Sequence, residues 1–185
     1  MPLLRTDHRT AGILLLAALT ALAIASLSCG GSAIPNGPFD AQVVRVVDGD
    51  TIIVDYEGST ERVRYIGVDT PESVKPNTPV QCYAKAASHL NESLVGGQRV
   101  TLTPGTEPRD RYGRLLAYVK TERGVDVNAA LLSAGAAKTM SISPNTEKAS
   151  EYADLEAKAR NKQAGLWGLC ADAQNLSGAL VPSTG

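Results

Sequence analysis

AQVVRVVDGDTIIVDY, residues 41–56, holds two β-branched runs hinged on Asp48-Gly49-Asp50. Asp-Gly between apolar stretches is a strong hairpin signal, because both residues tolerate the backbone that a tight turn requires. The spacing predicts strands over 41–47 and 51–56. A turn at Glu57-Gly58 leads to a third strand over 61–66, where Val63 and Tyr65 alternate with charged residues. Segment 68–72 then leaves the sheet, and Pro71 stops further pairing. Residues 73–80 read as a long exposed loop, and 82–94 as a helix ending before Gly96-Gly97. Strands over 98–103 and 114–120 flank a charged turn at 107–113. Asp126 N-caps a short helix running through Ala134, with Gly135 behind it. Residues 146–163 form a longer amphipathic helix whose face is Ala149, Tyr152, Ala153, Glu156 and Ala159. This order, βββ-α-ββ-α-α, describes an α+β domain: a five-stranded OB-type β-barrel with three packed α-helices. Strand count alone leaves the topology open.

The chain has 185 residues, 43% hydrophobic and 20% charged, enough for one well-packed domain with extensions. Its 18 Lys+Arg against 19 Asp+Glu exclude a strongly cationic nucleic-acid coat. Two histidines, His8 and His89, and no Cys-x-x-Cys pair argue against a histidine metal centre, a zinc ribbon or a thioredoxin-type site. His89 reads as a helix-surface residue and Trp167, the sole tryptophan, as core.

Arg5, His8 and Arg9 precede an uncharged apolar run over 11–25, shorter than a membrane span of about 20 residues but suited to a secretory leader. Residues 1–28 are accordingly read as a signal peptide. Two processing sites compete. Ala23-Ile24-Ala25 fits ordinary signal peptidase, with release after Ala25 and plain secretion. Ser26-Leu27-Ser28-Cys29-Gly30 resembles a lipoprotein box with Cys29 lipidated and holding the protein at a membrane, although Ser26 stands where such boxes carry Leu. The second is favoured by cysteine usage: without Cys29, Cys82 and Cys170 form an even pair, which in an exported protein suggests a disulfide, with two buried thiols as the alternative. Residues 29–38 read as a flexible tether, 39–170 as the folded domain and 171–185 as a disordered tail. Loss of the leader leaves a net charge of −2.

Singly, the charged motifs are weak. Asp48-Gly49-Asp50 is most often a plain turn, and it lacks the ligand series of an EF-hand. Asp69-Thr70-Pro71-Glu72 also suits a cap or a stiff loop, Arg64 an outward-facing strand position, and residues 109–114 a solvated charge run. In order they read VVDGDT (46–51), VRYIGVDTPE (63–72) and DRYGRLLAY (110–118), followed by VNAALL (127–132), GAAK (135–138) and GLW (165–167). That series closely resembles the staphylococcal (micrococcal, thermonuclease) nuclease family over nearly all of 39–170.

The resemblance implies an exported, Ca2+-dependent phosphodiesterase acting on DNA and RNA with little sequence preference, leaving 3′-phosphate nucleotides, and working as a monomer. Phosphodiester hydrolysis calls for a metal on a phosphoryl oxygen, a positioned water and cations against developing charge. By resemblance Asp50, Asp69 and the Thr70 carbonyl ligate Ca2+, and Asp48 tunes the metal from behind. Glu72 orients the attacking water as a candidate general base, while Arg64 and Arg114 grip the scissile phosphate. Arg111 and Tyr112 occupy positions that contact a terminal phosphate. One departure stands out: Ser141 and Ser143 fill the places of two base-stacking tyrosines, which leaves Tyr112 or Tyr152 as possible substitutes. The competing expectation is a non-catalytic module binding nucleic acid or protein; the presence of Asp50, Asp69, Glu72, Arg64 and Arg114 together weighs against it.

Overall fold

The structure is a computed structural model describing residues 33–73, 77 and 79–170. The expected leader, Cys29 and the 171–185 tail lie outside the described residues. Of the expected tether only 33–38 are described, and there Ile34 packs against the core.

The strands are β1 (Phe39–Val46), β2 (Thr51–Tyr56), β3 (Ser59–Tyr65), β4 (Gly67–Asp69), β5 (Arg99–Arg109), β6 (Leu115–Thr121) and β7 (Lys138–Met140). The helices are α1 (Ala84–Val95), α2 (Val127–Ser133), α3 (Ala149–Asn161) and a single turn, α4 (Leu166–Leu169). Five strands close a barrel in the order β1-β2-β3-β6-β5, as the OB-type expectation requires, and β4 pairs with β7 in a separate two-stranded sheet. Within the barrel β3 and β6 run parallel, with Val63 opposite Leu115, and every other pair is antiparallel. Parallel neighbours need a long crossover, which α1 and β5 supply. Closure demands bending, and the ladder is interrupted in β1 between Val43 and Arg45 and in β5 between Pro104 and Arg109.

Alternation fills the interior. Ile52 and Val54 of β2, Val63 of β3, Leu102 of β5 and Leu115 of β6 are wholly buried, and Leu131 and Leu132 of α2 belong to the same core. Asp126 caps α2 as expected, its Oδ1 accepting from the Ala129 N–H at 3.0 Å, and its other oxygen pairs with Lys148 ahead of α3. Glu156 of α3 accepts from the N–H and hydroxyl of Thr139, both at 2.6 Å, and so fastens β7. Arg160 bonds the other Glu156 oxygen and lies 3.8 Å from the Trp167 ring, which is buried as expected.

Four expectations need correction. Val68 and Asp69 do not leave sheet pairing: with Gly67 they form β4, because Pro71 lies beyond the paired residues. β5 runs on to Arg109, absorbing part of the supposed turn. Cys82 does not begin α1; Tyr83 sits at φ 69, a left-handed backbone that holds off the helix until Ala84. α3 is shorter than 146–163, and Ala153 is exposed, since Leu155 rather than Ala153 packs against the core.

Cys82 and Cys170 are joined in a disulfide, as the even pairing suggested, with Cα atoms 6.0 Å apart across 88 positions of sequence. Restricting so long a loop lowers the entropy of the unfolded chain by the equivalent of about 4.5 kcal/mol. Replacing both with serine should therefore lower unfolding free energy by about 2–4.5 kcal/mol, read from urea midpoints with and without reductant; equal midpoints would show that the bridge adds nothing.

Candidate active site

The β1–β2 turn is wound tightly. The N–H groups of Val47 and Asp48 donate to the Thr51 carbonyl at 2.9 and 3.3 Å, and Asp48 Oδ1 accepts from the Asp50 N–H at 3.1 Å. Gly49 is required by proximity: a Cβ there would lie 2.7 Å from the Thr70 side chain. This turn carries Asp50 inward until only 5% of it is exposed. A buried carboxylate needs partners on every lone pair. Asp50 Oδ2 accepts from the Thr70 N–H at 2.7 Å and its hydroxyl at 2.8 Å; Oδ1 accepts from the Thr51 hydroxyl at 3.1 Å and lies 3.2 Å from an Arg64 nitrogen.

Arg64 is correspondingly buried, not the outward residue that a strand reading allows. One guanidinium nitrogen donates to the Val68 and Tyr65 carbonyls at 2.7 and 3.2 Å, and the other to Asp69 Oδ1 at 2.9 Å. Arg64 thus joins Asp50 and Asp69, and the β4–β7 pairing fixes the strand that ends in Asp69. Thr70 follows it, and the backbone of Glu72 is held on both sides by Gln81: the Glu72 N–H donates to Gln81 Oε1 at 2.8 Å, and the Gln81 N–H to the Glu72 carbonyl at 2.9 Å.

The second arginine comes from the loop before β6. Asp110 Oδ2 accepts from Arg114 Nε at 2.7 Å, while Oδ1 accepts from the N–H groups of Tyr112 and Arg114 at 2.9 and 3.0 Å. Burial works against ionising Asp110, but these donors outweigh it and hold the carboxyl below its usual range. The exposed Tyr112 ring is flanked by the guanidinium carbons of Arg111 and Arg114, at 4.8 and 5.6 Å. Arg64, Arg111, Tyr112 and Arg114 line one cleft of about 450 Å3, with Met140 and Ile142 opposite. Ser143 also lines it, whereas Ser141 lines a separate small hollow against α3. Tyr152 is only 1% exposed, so of the two aromatic substitutes Tyr112 alone is available to a ligand.

Two of the carboxylates, Asp48 and Asp69, resist ionisation. Burial pushes Asp48 up to about 6, with the neighbouring Asp50 charge adding to the effect. Burial raises Asp69 as well; Arg64 opposes that and Asp50 reinforces it. Such crowding favours added positive charge. Among the described residues no three His, Cys, Asp or Glu side chains enclose a metal by themselves. What the structure offers is two carboxylates and Thr70, an all-oxygen set suited to a hard cation that retains some water ligands.

Sequence reasoning missed Asn91, which is fully buried on α1. Its amide donates to the Asp48 carbonyl at 2.9 Å, and its oxygen accepts from the Tyr65 hydroxyl at 2.9 Å, joining hairpin, barrel and helix. Gln81 and Asp110 were equally without an assigned role. Their carboxamide or carboxylate types are ordinary at exposed positions, and only three-dimensional placement marks them.

A family model described as staphylococcal nuclease homologue matches residues 62–168. The chain is 41% identical over 163 residues to a thermonuclease of Staphylococcus intermedius, covering 85% of this chain and 96% of that one. It is 41% identical over 126 residues to a thermonuclease of Staphylococcus hyicus, covering 68% and 74%. A similar 41% over 125 residues relates it to endonuclease YncB of Bacillus subtilis, covering 66% and 59%.

Replacing Asn91 with leucine would strand the Tyr65 hydroxyl and the Asp48 carbonyl in the interior. The expected cost is about 2–4 kcal/mol of unfolding free energy, measured by urea denaturation. A loss below about 0.5 kcal/mol would show that this tie does not hold the turn.

Proposed function

The chain belongs to the staphylococcal nuclease family, and on that premise we propose that it is an exported, Ca2+-dependent phosphodiesterase that hydrolyses DNA and RNA with little sequence preference and leaves 3′-phosphate nucleotides. The observation that carries this reading is the approach of Asp50 and Asp69 to one guanidinium, Arg64, whose cleft also receives Arg114.

Each group then has a task. Arg64 and Arg114 present planar forks to the non-bridging oxygens of the scissile phosphate, and their grip strengthens as charge builds on those oxygens. Asp110 holds Arg114 by Nε and leaves its terminal nitrogens for that contact. Glu72, on a backbone fixed by Gln81, orients the attacking water and takes its proton. Asp50 and Asp69 would hold the metal with the Thr70 carbonyl, since the N–H and hydroxyl of Thr70 are engaged by Asp50. When bound, Ca2+ supplies charge stabilisation at the phosphoryl oxygen. Export through the 1–28 leader, a lipid anchor at Cys29 and a monomeric state belong to the same proposal; the Cys82–Cys170 disulfide supports the first of these.

The test is digestion of DNA by the purified protein with Ca2+ and then with chelator. Ca2+ should be required and Mg2+ should replace it poorly, because Mg2+ demands tight octahedral geometry. Equal activity in chelator would sink the metal assignment, and no cleavage in Ca2+ would favour a binding module. Glu72→Gln or Arg114→Ala should lower kcat by about a hundredfold or more with circular dichroism unchanged. Near-normal turnover in either variant would show its role to be misassigned.

A further inference from the structure

Arg62 stands two positions before Arg64 on β3, with the buried Val63 between them pointing into the barrel. Alternation therefore places Arg62 and Arg64 on the same side of the strand, about 6.6 Å apart along it. Because β3 and β6 run parallel with Val63 opposite Leu115, the residue beside Arg62 is Arg114. Arg62, Tyr112, Gly113 and Arg114 line an open recess of about 370 Å3 to which no carboxylate contributes. Tyr112 and Arg114 also line the cleft that holds Arg64, so the two hollows adjoin at these residues.

Three other arginines near this face have carboxylate partners: Arg64 has Asp50 and Asp69, Arg114 has Asp110, and Arg109 has Glu61, while Arg111 bonds the Tyr112 hydroxyl. Arg109 grips both Glu61 oxygens, at 2.9 and 3.0 Å, which occupies the acid adjacent to Arg62 in sequence. The side chain of Arg62 is exposed and makes no hydrogen bond or ion pair among the described residues. Across β2 the register runs Arg62, Ile53, Arg45, and the irregularity in β1 turns Arg45 outward beside the exposed Val44. Arg45 likewise has no partner among the described residues. In a chain of net charge −1, this uncompensated line of guanidinium groups starting at the cleft is a local feature, not a general excess.

Resting on the nuclease reading, we propose that Arg62, in the recess beside Arg114 and Tyr112, supplies a second phosphate subsite that holds the polynucleotide strand next to the scissile bond, and that Arg45 extends the path. A guanidinium fork suits a phosphodiester, and a polyanion threaded through the cleft meets the recess on leaving it. Arg62 acts on binding and not on the bond being broken, so its effect falls on KM.

The experiment compares wild type with Arg62→Gln, Arg62→Lys and Arg62→Gln/Arg45→Gln. It measures cleavage of single-stranded DNA in Ca2+ and binding of a fluorescent single-stranded oligonucleotide, both across a salt series. Arg62→Gln should raise KM and Kd by about fivefold with kcat within about twofold, and should flatten the slope of log Kd against log salt by about 0.7, one phosphate's worth. The double variant should flatten it by about 1.4, and Arg62→Lys should recover most of the slope. The rise in KM should shrink as the substrate is shortened to a dinucleotide. Unchanged slope and KM in Arg62→Gln would overturn the subsite, as would wild type that binds no oligonucleotide. Wild type that binds but does not cleave would instead overturn the nuclease reading, and the slope would still decide on Arg62. Should Arg62→Gln lose native circular dichroism, Arg45→Gln and Arg62→Lys carry the same comparison.

Discussion

A buried carboxylate facing a buried guanidinium, Asp50 against Arg64, sets terms for everything near it. Taking such a pair out of water is costly, and the cost is offset only when every remaining donor and acceptor is also satisfied. Thr51 and Thr70 complete Asp50; the carbonyls of Tyr65 and Val68, with Asp69, complete Arg64. Five of these groups lie within the stretch from Arg64 to Thr70, so the chain must double back sharply after β3. The short β4, paired with β7 and braced by Glu156, holds that course. The convergence of Asp50, Asp69 and Thr70 thus follows from making one ion pair tolerable inside the wall of a barrel.

Barrel closure supplies the rest of the cleft. The parallel pairing of β3 with β6 brings Arg64 beside Leu116 and sets the Asp110–Arg114 loop at the same end. α1 contributes Asn91 to the floor beneath the turn and, through the segment ahead of it, Gln81 to the backbone of Glu72. The arginine-bearing loop and the carboxylate-bearing turn are therefore held by different parts of the fold. A change in either one alters the separation of the groups without touching their chemistry.

Much of this was legible beforehand. The hairpin at Asp48-Gly49-Asp50, the cap at Asp126 and the three helical stretches follow from local rules, and the order of strands and helices pointed to a barrel. The β4–β7 pair was not legible, because three residues cannot show a period of two against background. Nor was the delayed start of α1, which depends on one left-handed residue, Tyr83. The burial of Arg64 and the roles of Asn91, Gln81 and Asp110 depend on partners tens of positions away or on the shape of a loop. The sequence pattern treats those residues as surface polar groups, and nothing in residue type alone distinguishes them.

The Cys82–Cys170 link also has a topological consequence. It closes residues 82–170 into a covalent ring that contains Arg114, α2 and α3, whereas Asp50, Arg64, Asp69 and Glu72 all lie on the open strand ahead of it. A single proteolytic nick inside the ring leaves both pieces tethered to each other. A nick in the stretch 73–80 severs the carboxylate-bearing portion from the ring entirely, and the two are then associated only by the ladders of β1 with β5, β3 with β6 and β4 with β7 and by the side-chain contacts and packing between them. The molecule is armoured on one side of its cleft and held by non-covalent contacts alone on the other.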